Sequence, residues 1–230
     1  MKSLAKSLYI AGIQPQSGKS VISLGVMEML SRRIRNVGFF RPIIQSYNRA
    51  DNNIQLIKTR YETGLSYKEM YGCINDTAKQ MFTHGQARPL FNKILQKFKS
   101  LESKCAFILC EGTDFTGASS AFEFDFNADV ANNLGTPVLL LVNGRAQPPE
   151  AIYDAVMVAR KSFISHGCTL LATVVNRVSP KRHNKVERYL KKGSLYTEPV
   201  WVLPEEPVLG KPTINDITEA LGARVLHAQE

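Results

Sequence analysis

The chain has 230 residues, 44% of them hydrophobic and 21% charged, and carries a net charge of +9. That length suits one α/β domain, and the composition is that of an ordinary globular protein with enough apolar surface to form a core without disulfides or metals. No stretch approaches the roughly 20 apolar residues that cross a bilayer, and Met1–Lys6 lacks a cleavage-site pattern, so a soluble, cytoplasmic protein is expected.

In chain order the pattern alternates strand and helix. Leu8–Ala11 is a short apolar run ending at Gly12, and Val21–Arg33 has apolar positions Val21, Leu24, Val26, Leu30 and Ile34 near helical spacing. Val37–Phe40 reads as a second strand, ended by Arg41-Pro42, because proline restricts the residue before it. From Ile43 to Glu102 the pattern is helical and more polar, with turn signals near Gly64, Gly72 and Gly85 and an apolar stripe of Leu90, Ile94, Leu95, Phe98 and Leu101. Ala106–Cys110, Pro137–Val142, Thr169–Val175 and Val200–Leu203 are apolar runs of strand length, with helices expected over about Pro149–Ser165 and Ile214–Leu221. Continuous apolar runs between helices indicate strands covered on both faces: a three-layer α/β domain with a mostly parallel central sheet. The four cysteines show neither C-x-x-C pairing nor metal-ligand spacing with the four histidines, so reduced thiols are expected. The densest basic stretch, Lys181–Lys192, places Val186, Tyr189 and Leu190 at helical spacing and reads as the wet face of a helix; no nucleic-acid-binding motif accompanies it.

Gly12-Ile13-Gln14-Pro15-Gln16-Ser17-Gly18-Lys19-Ser20-Val21 follows a strand and opens a helix. Backbone N–H groups of such a loop converge on one concavity and stabilise an anion there. Gly18 lets backbone approach phosphate oxygens, Lys19 adds a full charge, and the Ser20 hydroxyl is placed to ligate Mg²⁺. Five residues separate Gly12 from Gly18, one more than in the common G-x-x-x-x-G-K-[ST] spacing. Mg²⁺ needs hard oxygen ligands, and Glu111, at the end of a buried strand, is a candidate beside Ser20. Asp51 is a candidate as well, or alternatively a simple helix N-cap.

Taken in order, these residues resemble the dethiobiotin synthetase-like family of P-loop proteins. The matching features are the expanded loop Gly12–Ser20, Arg41-Pro42 where the family has Lys-Pro, the acid Asp51, Glu111-Gly112 and the strand end Val174-Val175-Asn176-Arg177. The resemblance implies a P-loop NTPase-like fold and a nucleotide site of Gly12, Gln16, Ser17, Gly18, Lys19, Ser20, Val21, Asn176 and Arg177. Asn176 would contact adenine, and Ser20, Asp51 and Glu111 would hold Mg²⁺ beside ATP or ADP. Leu203-Pro204-Glu205-Glu206-Pro207 through Lys211-Pro212-Thr213, with Ile217 and Ala220–Ala223, is similar to the end of the N-terminal domain of long-form phosphate acetyltransferase. That narrower resemblance implies a nucleotide-binding regulatory or assembly domain over residues 1–223. Residues 224–230 would begin a linker or next domain, acetyl transfer would lie outside, and the partners would be other copies and the C-terminal domains of the same polypeptide.

Two departures bear on activity. Arg41 replaces the lysine that assists carboxylation in the synthetases, and arginine stays protonated, so it can orient an acid but is a poor base. Glu111-Gly112 runs into Thr113-Asp114-Phe115-Thr116-Gly117 rather than small residues. Lys19 and Arg41 are the candidates if any turnover occurs, a stand-alone ATP-dependent carboligase is the alternative, and a degenerate oligomerisation scaffold is the third reading.

Overall fold

Strands that are apolar on every residue call for cover on both faces, and the fold meets that demand over most of a single sheet with two helical layers; along Val200–Pro204, Trp201 and Leu203 stay exposed. The computed structural model describes residues 6–14, 16–46, 50–113, 120–192, 198–211 and 214–224. Its strands are β1 (Ser7–Gly12), β2 (Val37–Ile44), β3 (Tyr71–Ile74), β4 (Phe107–Glu111), β5 (Val138–Asn143), β6 (Leu170–Val178) and β7 (Val200–Pro204). The helices are α1 (Lys19–Ser31), α2 (Asn52–Arg60), α3 (Asn75–Thr83), α4 (Ala87–Glu102), α5 (Ser120–Leu134), α6 (Pro149–Ser165), α7 (His183–Lys192) and α8 (Ile214–Leu221).

The strands lie in the order β3-β2-β4-β1-β5-β6-β7, and every pairing is parallel. The chain steps one way from β1 to β2 and the other way from β4 to β5. Right-handed crossovers therefore set α1 and α2 against one face and α3 to α7 against the other. Packing follows suit: α1 lies on β1, β2 and β4, whereas α4, α5, α6 and α7 each touch the next and cover the sheet from β3 to β7. One core cluster runs from Tyr9, Ile10, Phe39 and Phe40 to Phe98 and Phe163; a smaller one joins Val142, Val175 and Val178 to Val186 and Leu190.

Several sequence expectations need correction. Val37–Phe40 does not end at Arg41-Pro42, for β2 continues to Ile44. Pairing with β4 stops at Phe40, and beyond it Arg41 N–H donates to Met70 O at 2.9 Å while Ile43 and Ile44 pair with β3. Proline is tolerated there because Pro42 stands where the ladder changes partner, so its missing N–H breaks no bond. Gly72 lies inside β3, an edge strand of four residues too short to show a period, rather than at a turn. Along α1 the buried stripe is Lys19, Ser23 and Met27, and Val21 is exposed; the first turn faces the loop rather than the core. By contrast, Leu90, Ile94, Phe98 and Leu101 are all buried on α4. In α7, Val186 and Leu190 are buried beneath the basic face, while Tyr189 packs edge-on to Tyr153. All four cysteines are free and buried. No helix among the described residues is long and apolar enough to cross a membrane.

Candidate functional site

Parallel strands deliver their C-terminal ends to one edge of the sheet, and a ligand crevice forms where neighbouring connections leave in opposite directions. That divergence occurs around β1, and the chain there turns from Gly12 into the phosphate loop. Pro15 lies outside the described residues. Gln16 and Gly18 both have positive φ, 58° and 84°. Gly18 is the N-cap of α1 and offers no side-chain cap, and the first turn carries no acid, so the helix N-terminus is left for an outside anion. A Cβ on Gly18 would collide with Asn176 Nδ2, and one on Gly12 with Ser17 Oγ. Lys19 is 5% exposed and folds back beside Gly12. Ser17 Oγ is buried with no hydrogen-bond partner. A buried hydroxyl without a partner is costly unless a ligand completes it.

Glu111 ends β4 next to β1 and is 1% exposed. A buried polar network fixes the chain just after it: Tyr9 Oη and Thr113 N–H both donate to Asn127 Oδ1, at 2.7 and 2.9 Å, and Asn127 Nδ2 donates to Thr113 O at 3.0 Å. Asn53 Nδ2 donates to Glu111 Oε1 at 2.6 Å and also to Ser20 Oγ at 2.8 Å. Glu111 Oε2 is buried and unpartnered. Arg41 pairs closely with Asp51, and its Nη2 lies 3.6 Å from Glu111 Oε1.

The candidate metal ligands are thus not equivalent. Ser20 and Glu111 face one another across the Asn53 amide. Asp51 caps α2 instead: its Oδ1 accepts from Asn53 N–H and Ile54 N–H, both at 3.1 Å, and its Oδ2 accepts from Arg41. Asn53 was missed because, once Asp51 is the cap, it falls inside the first turn, where sequence offers no signal for a long-range contact. Among the described residues no three His, Cys, Asp or Glu side chains gather to hold a metal. Ser20 Oγ and the Glu111 carboxylate, one oxygen of which is buried without a partner, are the protein groups that would help hold Mg²⁺ beside a phosphate.

On the opposite side of the loop lies a cleft of about 610 Å³, lined by Gln16, Gly18, Val21, Asn176, Leu203 and Leu209 among others. Asn176 Nδ2 donates to Ser17 O at 2.9 Å. A carbonyl can only accept, so this bond fixes which way the amide faces. Arg177, at φ 63°, donates through Nη1 to Gln16 O at 2.9 Å and through Nη2 to Glu205 Oε1 at 3.1 Å; Arg145 Nε reaches the same oxygen at 3.0 Å. Glu205, read from sequence only as part of a Pro-Glu-Glu-Pro stretch, is the brace that ties the loop after β7 to the cleft. Asp114–Gly117 and Pro212-Thr213 lie outside the described residues.

A family model described as an AAA domain matches residues 6–219. A phosphate acetyltransferase of Nitratidesulfovibrio vulgaris is 37% identical over 97% of this chain, and one from a Synechocystis strain 30% identical over 97%. The chain spans about a third of the length of these relatives, 33% and 32%. Among solved structures, an ATP complex of a Cyanothece McdA variant is similar with a TM-score of 0.53 at 13% identity, over 98% of this chain and 100% of that one. A GTPase from Pyrococcus abyssi in apo form gives 0.53 at 14% identity, over 86% and 90%. At such identities these two show the fold alone.

Proposed function

The chain belongs to this family of AAA domains, and from that premise we propose that it is an ATP-binding regulatory or assembly domain of a phosphate acetyltransferase. Its extent would be residues 1–223, it would form homo-oligomers, and acetyl transfer would lie in other domains of the same polypeptide. The observation that carries nucleotide binding is the geometry of the loop: an uncapped α1 N-terminus and an unpartnered, buried Ser17 hydroxyl, with Lys19 buried beside Gly12. The apolar walls of the neighbouring cleft, Val21, Ile22, Leu203 and Leu209, suit the flat faces of a base.

The nucleotide is ATP or ADP rather than a guanine nucleotide. One Nδ2 hydrogen of Asn176 is held by Ser17 O, which leaves a ligand the acceptor Oδ1 and one N–H. An acceptor beside a donor matches the amino group and neighbouring ring nitrogen of adenine, whereas guanine sets an oxygen against the acceptor. Ser20 and Glu111 would hold Mg²⁺ where it is bound, and the ion would supply charge neutralisation for the phosphates; the chain's own part is to bind and orient. The resemblance to relatives named phosphate acetyltransferase supports the wider assignment. Arg41, locked between Asp51 and Glu111, supports binding over carboligase chemistry, since no group at that position can take a proton.

Calorimetric titration of ATP, with and without Mg²⁺, tests this directly against Lys19→Ala. A charged hydrogen-bonding partner of phosphate contributes about 1.5–3 kcal/mol, so the variant should bind roughly 10- to 150-fold more weakly. Equal heats from both proteins, or none from either, would refute nucleotide binding at this loop.

A further inference from the structure

The contact that ties α2 to the loop is unusual in what it joins. Asn53 Nδ2 stands 2.8 Å from Ser20 Oγ and 2.6 Å from Glu111 Oε1. Those are the two protein residues from which a divalent cation beside the phosphates would draw its ligands. An amide N–H₂ group presents two positive hydrogens to two oxygens, so electrostatically it substitutes for a cation between them. The amide and the metal therefore compete for the same pair of groups. The second carboxylate oxygen, Oε2, is buried without a partner, leaving Glu111 incompletely satisfied while the amide is in place.

On the reading that the loop binds ATP, we infer that Asn53 is the residue that sets the metal preference of the site: it holds α2 against Ser20 and Glu111 in the metal-free state, and Mg²⁺ displaces it. Metal-free ATP can fill the loop, the Lys19 side and the base cleft with this contact intact. Mg·ATP cannot, because the cation needs Ser20 Oγ and Glu111. The start of α2 then loses its tie to the loop but keeps its own cap, since Asp51 bonds Asn53 N–H, Ile54 N–H and Arg41 independently of the Asn53 side chain. Binding of the metal would thus be signalled through α2 and not through the loop alone.

Hydrogen exchange of the α2 amides in the intact chain, compared with ATP plus chelator and with Mg·ATP, reads the device. Release of a bond contributing about 1 kcal/mol should speed exchange in the first turns of α2 roughly fivefold in Mg·ATP relative to metal-free ATP. Asn53→Ala should show the faster exchange before any ligand is added, bind Mg·ATP about fivefold more tightly, and bind metal-free ATP as the parent does. Asn53→Asp, which cannot donate either, should share the fast exchange and serves if the alanine variant fails to fold. Unchanged α2 exchange on adding Mg²⁺ to the ATP complex would overturn the inference. So would a loss of Mg·ATP affinity in Asn53→Ala, which would make Asn53 a support for the metal rather than its competitor. Absence of binding of either form by the parent would sink the ATP-binding reading itself, and the metal preference with it.

Discussion

Asn176 offers the sharpest test of how the site is held together, because two roles converge on one amide. Its Nδ2 gives the carbonyl of Ser17, a residue 2% exposed, a hydrogen bond of 2.9 Å. Asn176→Ala removes that donor and leaves a buried carbonyl without its partner, a loss of about 1–3 kcal/mol. For a domain of this size each kcal/mol shifts Tm by about 2–4 °C, so a midpoint change of roughly 2–12 °C is expected. Asn176→Asp keeps the volume but faces the carbonyl with a carboxylate oxygen, and should lose at least as much. ATP and GTP affinities, measured by calorimetry on the same proteins, separate the second role. Loosening the loop weakens both nucleotides, and loss of the Oδ1 acceptor erases whatever preference for ATP the parent has. A parental Tm in both variants would refute the view that Asn176 struts the loop. A preference for ATP surviving in Asn176→Ala would refute its role in reading the base.

Two further predictions concern stability. Arg160 and Glu198 form a pair with contacts of 2.7 and 2.8 Å, side chains 7% and 10% exposed, joining α6 to the chain before β7. Arg160→Ala leaves a buried carboxylate and should cost about 3–5 kcal/mol in urea unfolding, whereas Arg160→Met combined with Glu198→Leu should recover most of it; equal losses would refute the pairing argument. Glu69 has its carboxyl lowered from 4.5 to about 2, first by Lys104 and then by Ser66. A depressed carboxyl stabilises the fold fully above its unfolded value and loses that contribution as pH falls from about 4.5 toward 2. Glu69→Gln should therefore lower the urea midpoint at pH 7 and narrow the gap to the parent by pH 3; a gap that widens in acid would reverse the sign of the argument.

How far the fold was legible in the sequence follows from how each element is stabilised. β1, β4, β5 and β6 sit inside the sheet, so burial on both faces wrote them as unbroken apolar runs, and α4 buries a full stripe at helical spacing. β3 is different: it pairs on one side only, with β2, and its four residues Tyr71–Ile74 include a glycine. Nothing in so short and mixed a segment distinguishes strand from turn, and its pairing depends on β2 running on past Pro42. The α1 reading held for the helix and for Leu24, Val26, Leu30 and Ile34, which pack against the core, and failed at Val21 for a related reason. Periodicity finds the side of a helix that faces a core, but the first turn of α1 lies beside the phosphate loop, where Lys19 is buried and Val21 exposed.

The same distinction separates the readable from the unreadable half of the site. The loop's chemistry is local: glycines, lysine and serine within one short segment carry the phosphate signal, and their spacing is enough to recognise it. The cleft and the metal side are made by residues far apart in sequence, such as Asn176 on Ser17 and Asn53 on Glu111, separated by 159 and 58 positions. Asp51 illustrates the consequence. From sequence, an acid at the start of a helix has two destinations, its own helix N–H groups or a metal. In the structure its carboxylate caps its own helix and pairs with Arg41, while Asn53, two residues on, turns toward Ser20. An amide where a second carboxylate was expected changes the electrostatics: Ser20 and Glu111 are already joined by a donor, which on the proposed reading a cation would have to displace. On the proposal that the loop binds ATP, the arrangement favours a site that responds to the metal state of its nucleotide over one built to activate the phosphate for transfer.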